Sequence, residues 1–324
     1  MIDPESSAPP ASADPQPADA AMGGSPYKNL FVPLVVVPAV IVGAIVLVFL
    51  FFGAIAGHEA TLEENLDRVV AGGAGDHQQA AFNLVRQIAE NQAARAEGRE
   101  LPWPVDASFL PRLDKAWETT PTDERLIRLV LASLSGQLGD PGATGKLISL
   151  LDSPLAEDED GVQFHALANL GGLADPAAAA PIARFLEQSP DNGLRSVAAV
   201  ALQRIPGEVA TAALRGALDD PAFEVRANAA IALSTRGDAA GAEMLVSLLD
   251  PATYAEQHAH DAKKYAVARR ISESRVQAVA ALARLRRPED RERLSALADA
   301  EKDLAVREAA MKALRLVQDE PEAR

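Results

Sequence analysis

Val225-Arg226-Ala227-Asn228-Ala229-Ala230-Ile231-Ala232-Leu233 is the stretch that decides the fold, because it is repeated. On a helix, Val225, Ala229 and Leu233 fall in one line and Ala230 lies beside it, so the stretch predicts a helix with a narrow apolar side. The same phrase stands 31 residues earlier as Leu194-Arg195 with Ala198, Ala199, Ala201 and Leu202. It returns 81 residues later as Val306-Arg307 with Ala310, Met311, Ala313 and Leu314. Two looser copies hold the register: Ile127-Arg128 with Leu131, Ala132 and Leu134, 98 residues before, and Ser274-Arg275 with Ala278, Val279, Ala281 and Leu282, 49 after. A degenerate copy runs from Phe164 to Leu170.

A period of 31 to 32 residues accommodates two helices of about 11–12 residues with short turns, so each period predicts one helical hairpin. Leu-rich stretches such as Met244 to Leu249 supply the first helix and the Arg-Ala phrase the second. Asp219-Asp220-Pro221 and Asp250-Pro251 are expected between units, since the residue before Pro disfavours helix and Asp caps the helix that follows. Stacked units of this kind bury their apolar sides only against their neighbours. The reading is an all-α chain with an α-solenoid over residues 121–324.

The phrase Val-Arg-x-x-Ala-Ala-x-Ala-Leu, followed by Gly237-Asp238 and a Leu-rich helix, resembles the short HEAT-like repeats of the phycobilin-lyase type. The resemblance implies a right-handed superhelix of antiparallel helix pairs whose second helices line a concave surface. It also implies that the repeated arginine pairs with an acidic residue of an adjoining repeat. Arg128, Arg195, Arg226, Arg275 and Arg307 are therefore expected to be structural.

Upstream, residues 58–120 predict a helical stem and N-terminal cap, with amphipathic helices over 62–70, 77–94 and 106–118 and Trp103 and Trp117 filling the cap. Residues 1–28 are rich in Pro, Ala, Ser and Asp and predict a disordered tail. From Asn29 to His58 no charged residue occurs, and Leu30 to Ile55 holds 19 Leu, Ile, Val or Phe, so 29–57 predicts one transmembrane helix. Lys28 directly before the span, against Arg68 as the first basic residue after it, orients the tail inward and the solenoid to the extracytoplasmic, periplasmic side.

Chemistry is sparse. The chain of 324 residues has 31 Lys plus Arg against 46 Asp plus Glu, a net charge of −15, which excludes a general nucleic-acid binder. With no cysteine there is no thiol nucleophile, disulfide or Cys-ligated metal. Gly142-Ala143-Thr144-Gly145-Lys146 is followed by Leu147 and lacks the upstream glycine of a phosphate loop. The run Glu157-Asp158-Glu159-Asp160-Gly161 puts Ala156 and Leu167 where a calcium loop needs ligands. His258 and His260 stand two apart, the wrong spacing for one helix face. Deoxyhypusine hydroxylase, an enzyme class built on HEAT-like repeats, holds iron with several His-Glu dipeptides, whereas this chain has one, His58-Glu59. The expectation is no enzyme, no cofactor, no metal and no small-molecule substrate.

One interval between copies is stretched to 49 residues by an insertion at about 252–273. Between Asp261 and Arg287 eight Lys or Arg face two acids, in a chain otherwise acidic. Lys263, Lys264, Arg269 and Arg270 are the candidate partner-docking residues. Together these features predict a membrane-anchored scaffold or adaptor that binds a protein; the alternative is an accessory or lyase-like factor in cofactor attachment or protein modification.

Overall fold

The computed structural model describes residues 59–71, 74–152, 161–254 and 264–318, and among them all regular structure is helical. The described residues form fourteen α-helices that pair in sequence order into seven hairpins: α1 (Leu62–Ala71) with α2 (Ala74–Ala96), α3 (Phe109–Thr119) with α4 (Arg125–Gln137), and α5 (Ala143–Ser149) with α6 (Val162–Leu173). Then come α7 (Ala179–Gln188) with α8 (Asn192–Arg204), α9 (Glu208–Gly216) with α10 (Phe223–Thr235), α11 (Ala242–Ser247) with α12 (Lys264–Leu285), and α13 (Asp290–Ala300) with α14 (Leu304–Gln318). The second helices form an unbroken file in which α2 packs on α4, α4 on α6, and so on to α14. This is the all-α helical-repeat fold that the recurring phrase predicts. The helices expected over 62–70, 77–94 and 106–118 are α1, α2 and α3.

The alanines explain the close file. Ala198, Ala199, Ala229, Ala230 and Ala310 are wholly buried, and a methyl side chain keeps neighbouring helix axes near. The approach is closest where even a methyl is too much. A Cβ on Gly171 of α6 would stand 2.7 Å from the Cα of Ala201 in α8, and one on Gly241 would stand 2.6 Å from the Cα of Ala230.

Aspartates start the helices. The carboxylates of Asp140, Asp191, Asp220, Asp238 and Asp250 accept from the backbone N–H of Gly142, Leu194, Ala222, Ala240 and Ala252 at 2.8–2.9 Å. One expectation is corrected here. The Asp-Pro turns lie inside hairpins, Asp220-Pro221 between α9 and α10 and Asp250-Pro251 between α11 and α12, whereas the Gly-Asp turns separate hairpins. Aspartate caps whichever helix follows it, so its presence does not tell the two kinds of turn apart.

The N-terminal hairpins have their own core of Leu62, Leu66, Leu84, Ile88, Phe109 and Leu113, against which Trp103 and Trp117 pack half-buried. Trp103 is fixed on three sides: its N–H meets Asn91 Oδ1 at 3.0 Å, its indole Nε1 donates to Glu90 at 2.6 Å, and the Arg86 guanidinium lies 5.9 Å from its ring centre. No helix among the described residues is long and apolar enough to cross a membrane. The tail read over 1–28 and the span read over 29–57 lie outside the described residues.

Candidate binding face

In the pentapeptide Ala229-Ala230-Ile231-Ala232-Leu233, four side chains are buried and Ile231 in the middle is not. The repeat register puts the same middle position on every second helix from α4 to α14: Ser133, Ala168, Val200, Ile231, Ala280 and Lys312. None of the six is buried, and Val200 is 47% exposed. They share a side of the file, since Ser133 and Ala168 line one hollow and Ala280 and Lys312 another.

The structure adds a copy that reading the sequence missed. Ala80-Ala81-Phe82-Asn83-Leu84 on α2 has the same burial rhythm, with Ala80, Ala81 and Leu84 inside and Phe82 66% exposed. Its Arg position is His77, whose Nδ1 lies 3.9 Å from Glu124 at the start of α4. The signal was the Ala-Ala pair with a Leu three places on; it was hidden by histidine for arginine and by a spacing outside the 31-residue period.

Taking the middle position with the residues four before and three after it gives the strip that each second helix turns to this side. Over α2, α4, α6, α8, α10 and α12 three of these eighteen positions, Leu129, Gly171 and Ser234, are buried, and the fifteen that reach the surface carry no Asp, Glu, Lys or Arg, in a chain that is 24% charged. On α14 the same three positions are Glu308, Lys312 and Arg315. The file thus presents a long uncharged strip that ends in charge.

The hollow at that end has a volume of about 700 Å3. Val276, Ala280 and Ala283 of α12 and Ala305, Ala309 and Ala313 of α14 line it, with Arg284, Arg286, Glu308, Lys312 and Leu316 also in its wall.

Arg128, Arg195, Arg226 and Arg275 point into the turns between the layers. Arg195 donates from Nε and Nη2 to Asp220 Oδ2 and Oδ1 at 2.8 and 2.9 Å, reaching the next hairpin, and from Nη1 to the Ser189 carbonyl at 2.9 Å in its own. The Asp220 carbonyl meanwhile accepts from Arg226 at 2.6 Å, so this one residue ties two repeats. Arg275 is buried and does the same, donating to the Leu249 carbonyl at 2.7 Å and to Glu301 of the following hairpin. Glu301 stands 81 residues after Asp220, the offset that separates the arginine phrases. The Arg195 guanidinium holds the Asp220 carboxyl below the ordinary carboxylate range, and Arg275 does so for Glu301. Arg128 lies over the Trp117 ring, 3.8 Å from its centre, and donates to the Trp117 and Thr120 carbonyls. Arg307 is half-buried on α14.

Two further cations with structural roles were not legible. Arg236 reaches back to the carbonyls of Leu202 and Ile205 and to Thr211 Oγ1. Lys146, rejected above as a phosphate-loop lysine, donates to Asp114, to Asp140 at 2.8 Å and to Ser135 at 3.0 Å. Burial works against its charge, but the two carboxylates outweigh that and hold the ammonium above its usual value.

The basic insertion resolves into separate parts. Lys263 lies outside the described residues, Lys264 opens α12, and α12 runs 22 residues where α8 and α10 run 13. Arg269 and Arg270 are exposed on this extension, Arg269 beside Glu273 at 3.1 Å. Arg275 belongs to the repeat pairing, and Arg287 binds Asp290 at 2.8 and 3.1 Å. Arg284 and Arg286 reach the hollow. Among the described residues no cluster of His, Cys, Asp or Glu is arranged to hold a metal ion.

Fold and face together define an all-α helical-repeat protein. A family model described as HEAT repeats matches residues 153–234 and 186–262. No curated protein matches the chain. Solved structures similar to it include the complex of CpcE and CpcF of phycocyanin lyase from Nostoc sp. PCC7120, 20% identical with a TM-score of 0.45, covering 79% of this chain and 88% of that one. Human deoxyhypusine hydroxylase in complex with glycerol is 17% identical with a TM-score of 0.30, over 80% of this chain and 96% of that one. At these identities and TM-scores neither likeness bears on what this chain does.

Proposed function

We propose that the second-helix file is a protein-binding surface and that the chain is a non-catalytic scaffold or adaptor, held at a membrane by residues 29–57 with the repeats on the extracytoplasmic side. The observation that supports this reading is the uncharged strip. Water-facing helix surfaces of an acidic protein ordinarily carry charge, and a contiguous uncharged one marks an interaction site. Lys263, Lys264, Arg269 and Arg270, on and beside the extension of α12, belong to the same proposal as a steering patch for an acidic partner. The test is Val200→Glu with Phe164→Glu, which places two charges on the strip at side chains 47% and 46% exposed, outside the core. Partner recovery after cross-linking in native membranes is expected to fall at least tenfold with the melting temperature unchanged. Unchanged recovery refutes the reading.

A second reading, an accessory or lyase-like factor in cofactor attachment or protein modification, is favoured by the size of the hollow between α12 and α14, which suits a small organic molecule. A purified protein with a visible absorption band or a covalently bound cofactor mass would support it in place of the first.

A further inference from the structure

We propose that the hollow between α12 and α14 is the seat for one helix of a partner protein, about three turns long, with carboxylates in its first turn lying against Arg284 and Arg286. The inference rests on reading the second-helix face as a protein-binding surface, and it adds what is bound and in which direction.

The length comes from the lining. Val276 on α12 and Arg286 just past its end are ten residues apart, and Ala305 and Leu316 on α14 eleven, or about 15 Å at 1.5 Å per residue. That matches three turns of a docked helix or four to five extended residues.

Backbone chemistry decides between the two. Val276, Ala280, Ala283, Ala305, Ala309 and Ala313 make up most of the lining, the Ser234 and Thr235 hydroxyls beside them donate to carbonyls of their own helix, Glu308 pairs with Lys312, and no strand edge is present among the described residues. An extended segment pressed onto that floor would leave its N–H and C=O groups without partners, whereas a helix satisfies its own. Small residues also let a helix come close, as Ala201 of α8 does to Gly171 of α6.

Charge sets the direction. Arg284 and Arg286 at the C-terminal end of α12, Thr235 at the end of α10 and Leu316 near the end of α14 meet at one end of the hollow. The one carboxylate in the lining, Glu308, pairs with Lys312 at 2.8 Å. Helix C-termini carry partial negative charge and attract the N-terminus of another helix, where Asp and Glu are themselves favoured. A helix whose acidic first turn lies against Arg284 and Arg286 satisfies both conditions and runs antiparallel to α12 and α14.

Fluorescence anisotropy on the full chain in detergent tests this with three labelled fourteen-residue peptides sharing one Leu/Ala face. The first has Glu in its first turn, the second has Lys there, and the third has the Glu turn with two central prolines that prevent a helix. The first is expected to bind saturably and at least tenfold tighter than the other two. Arg284→Glu with Lys312→Glu should reverse the Glu-over-Lys preference, and Ala280→Trp with Ala309→Trp should weaken binding at least tenfold. No binding of the first peptide, equal binding of the proline peptide, or indifference to both pairs of substitutions overturns the proposal; the charge pair, being on the surface, decides if the tryptophan pair fails to fold. Partner recovery separates the two levels: loss with Val200→Glu and Phe164→Glu but not with either hollow variant leaves the face reading standing and removes this inference, while loss with neither set removes both.

Discussion

Asp220→Ala is the perturbation that tests the account of the repeats most directly. Asp220 and Arg195 are 10% and 11% exposed at their side chains, and the substitution removes two charge-assisted bonds and the cap on Ala222. Breaking a buried pair costs about 3–5 kcal/mol and losing a cap about 1 kcal/mol. Because both groups keep some contact with water and Arg195 retains the Ser189 carbonyl, the lower part of that range, about 3 kcal/mol in all, is expected. For a folded unit of this size that corresponds to a fall in melting temperature of roughly 6–12 °C. The assay is thermal unfolding followed by circular dichroism, with Asp219→Ala as the control, since Asp219 is exposed on the same turn and its loss should cost under about 0.5 kcal/mol. In a double-mutant cycle, Arg195→Met should cost far less when Asp220 is already gone. If Asp220→Ala lowers the melting temperature no more than Asp219→Ala, the pairing does not hold the repeats together and the reasoning fails.

Gly171→Ala should destabilise by about 1–3 kcal/mol, because its Cβ would meet the backbone of Ala201, whereas Gly172→Ala, with open space around it, should be neutral or stabilising by up to about 1 kcal/mol; urea titration of the two compares them. Stability should also fall in acid. The pKa values of Asp220 and Glu301 are depressed in the folded state, so the stability they confer is complete above their unfolded values near 4 and is lost as pH falls through the folded ones. A variant with Asp220→Asn and Glu301→Gln should lose less stability between pH 5 and lower values than the parent, measured as melting temperature against pH. Carbonate-washed membranes should retain the whole chain and release a protein beginning at Gly57.

The fold was legible because burial left a periodic trace. Each second helix needs alanine wherever it touches the next, so Ala198, Ala229 and Ala310 recur in register, and the hairpins follow from the spacing. The pairing of Arg195 and Arg275 with an acid one hairpin on was implied by the resemblance. What the sequence hid depends on distance rather than order. Arg236 joins carbonyls more than thirty residues away, and Lys146 joins Asp114 across 32. The basic run from 263 to 287 reads as one patch in sequence, yet a helix distributes it over all sides, so Arg275 goes inside, Arg287 turns to Asp290, and Arg284 and Arg286 reach the hollow. The strip was present at the middle position of each copy before α14, but its lack of charge becomes visible only once those positions are laid side by side.

The file of second helices has a mechanical meaning as well. A globular core shares an applied load among many elements, while hairpins that grip only those beside them carry it in series. Pulled from its two ends, such a body is expected to yield as a soft spring, one hairpin at a time, with Asp220 and Glu301 among the stitches between hairpins.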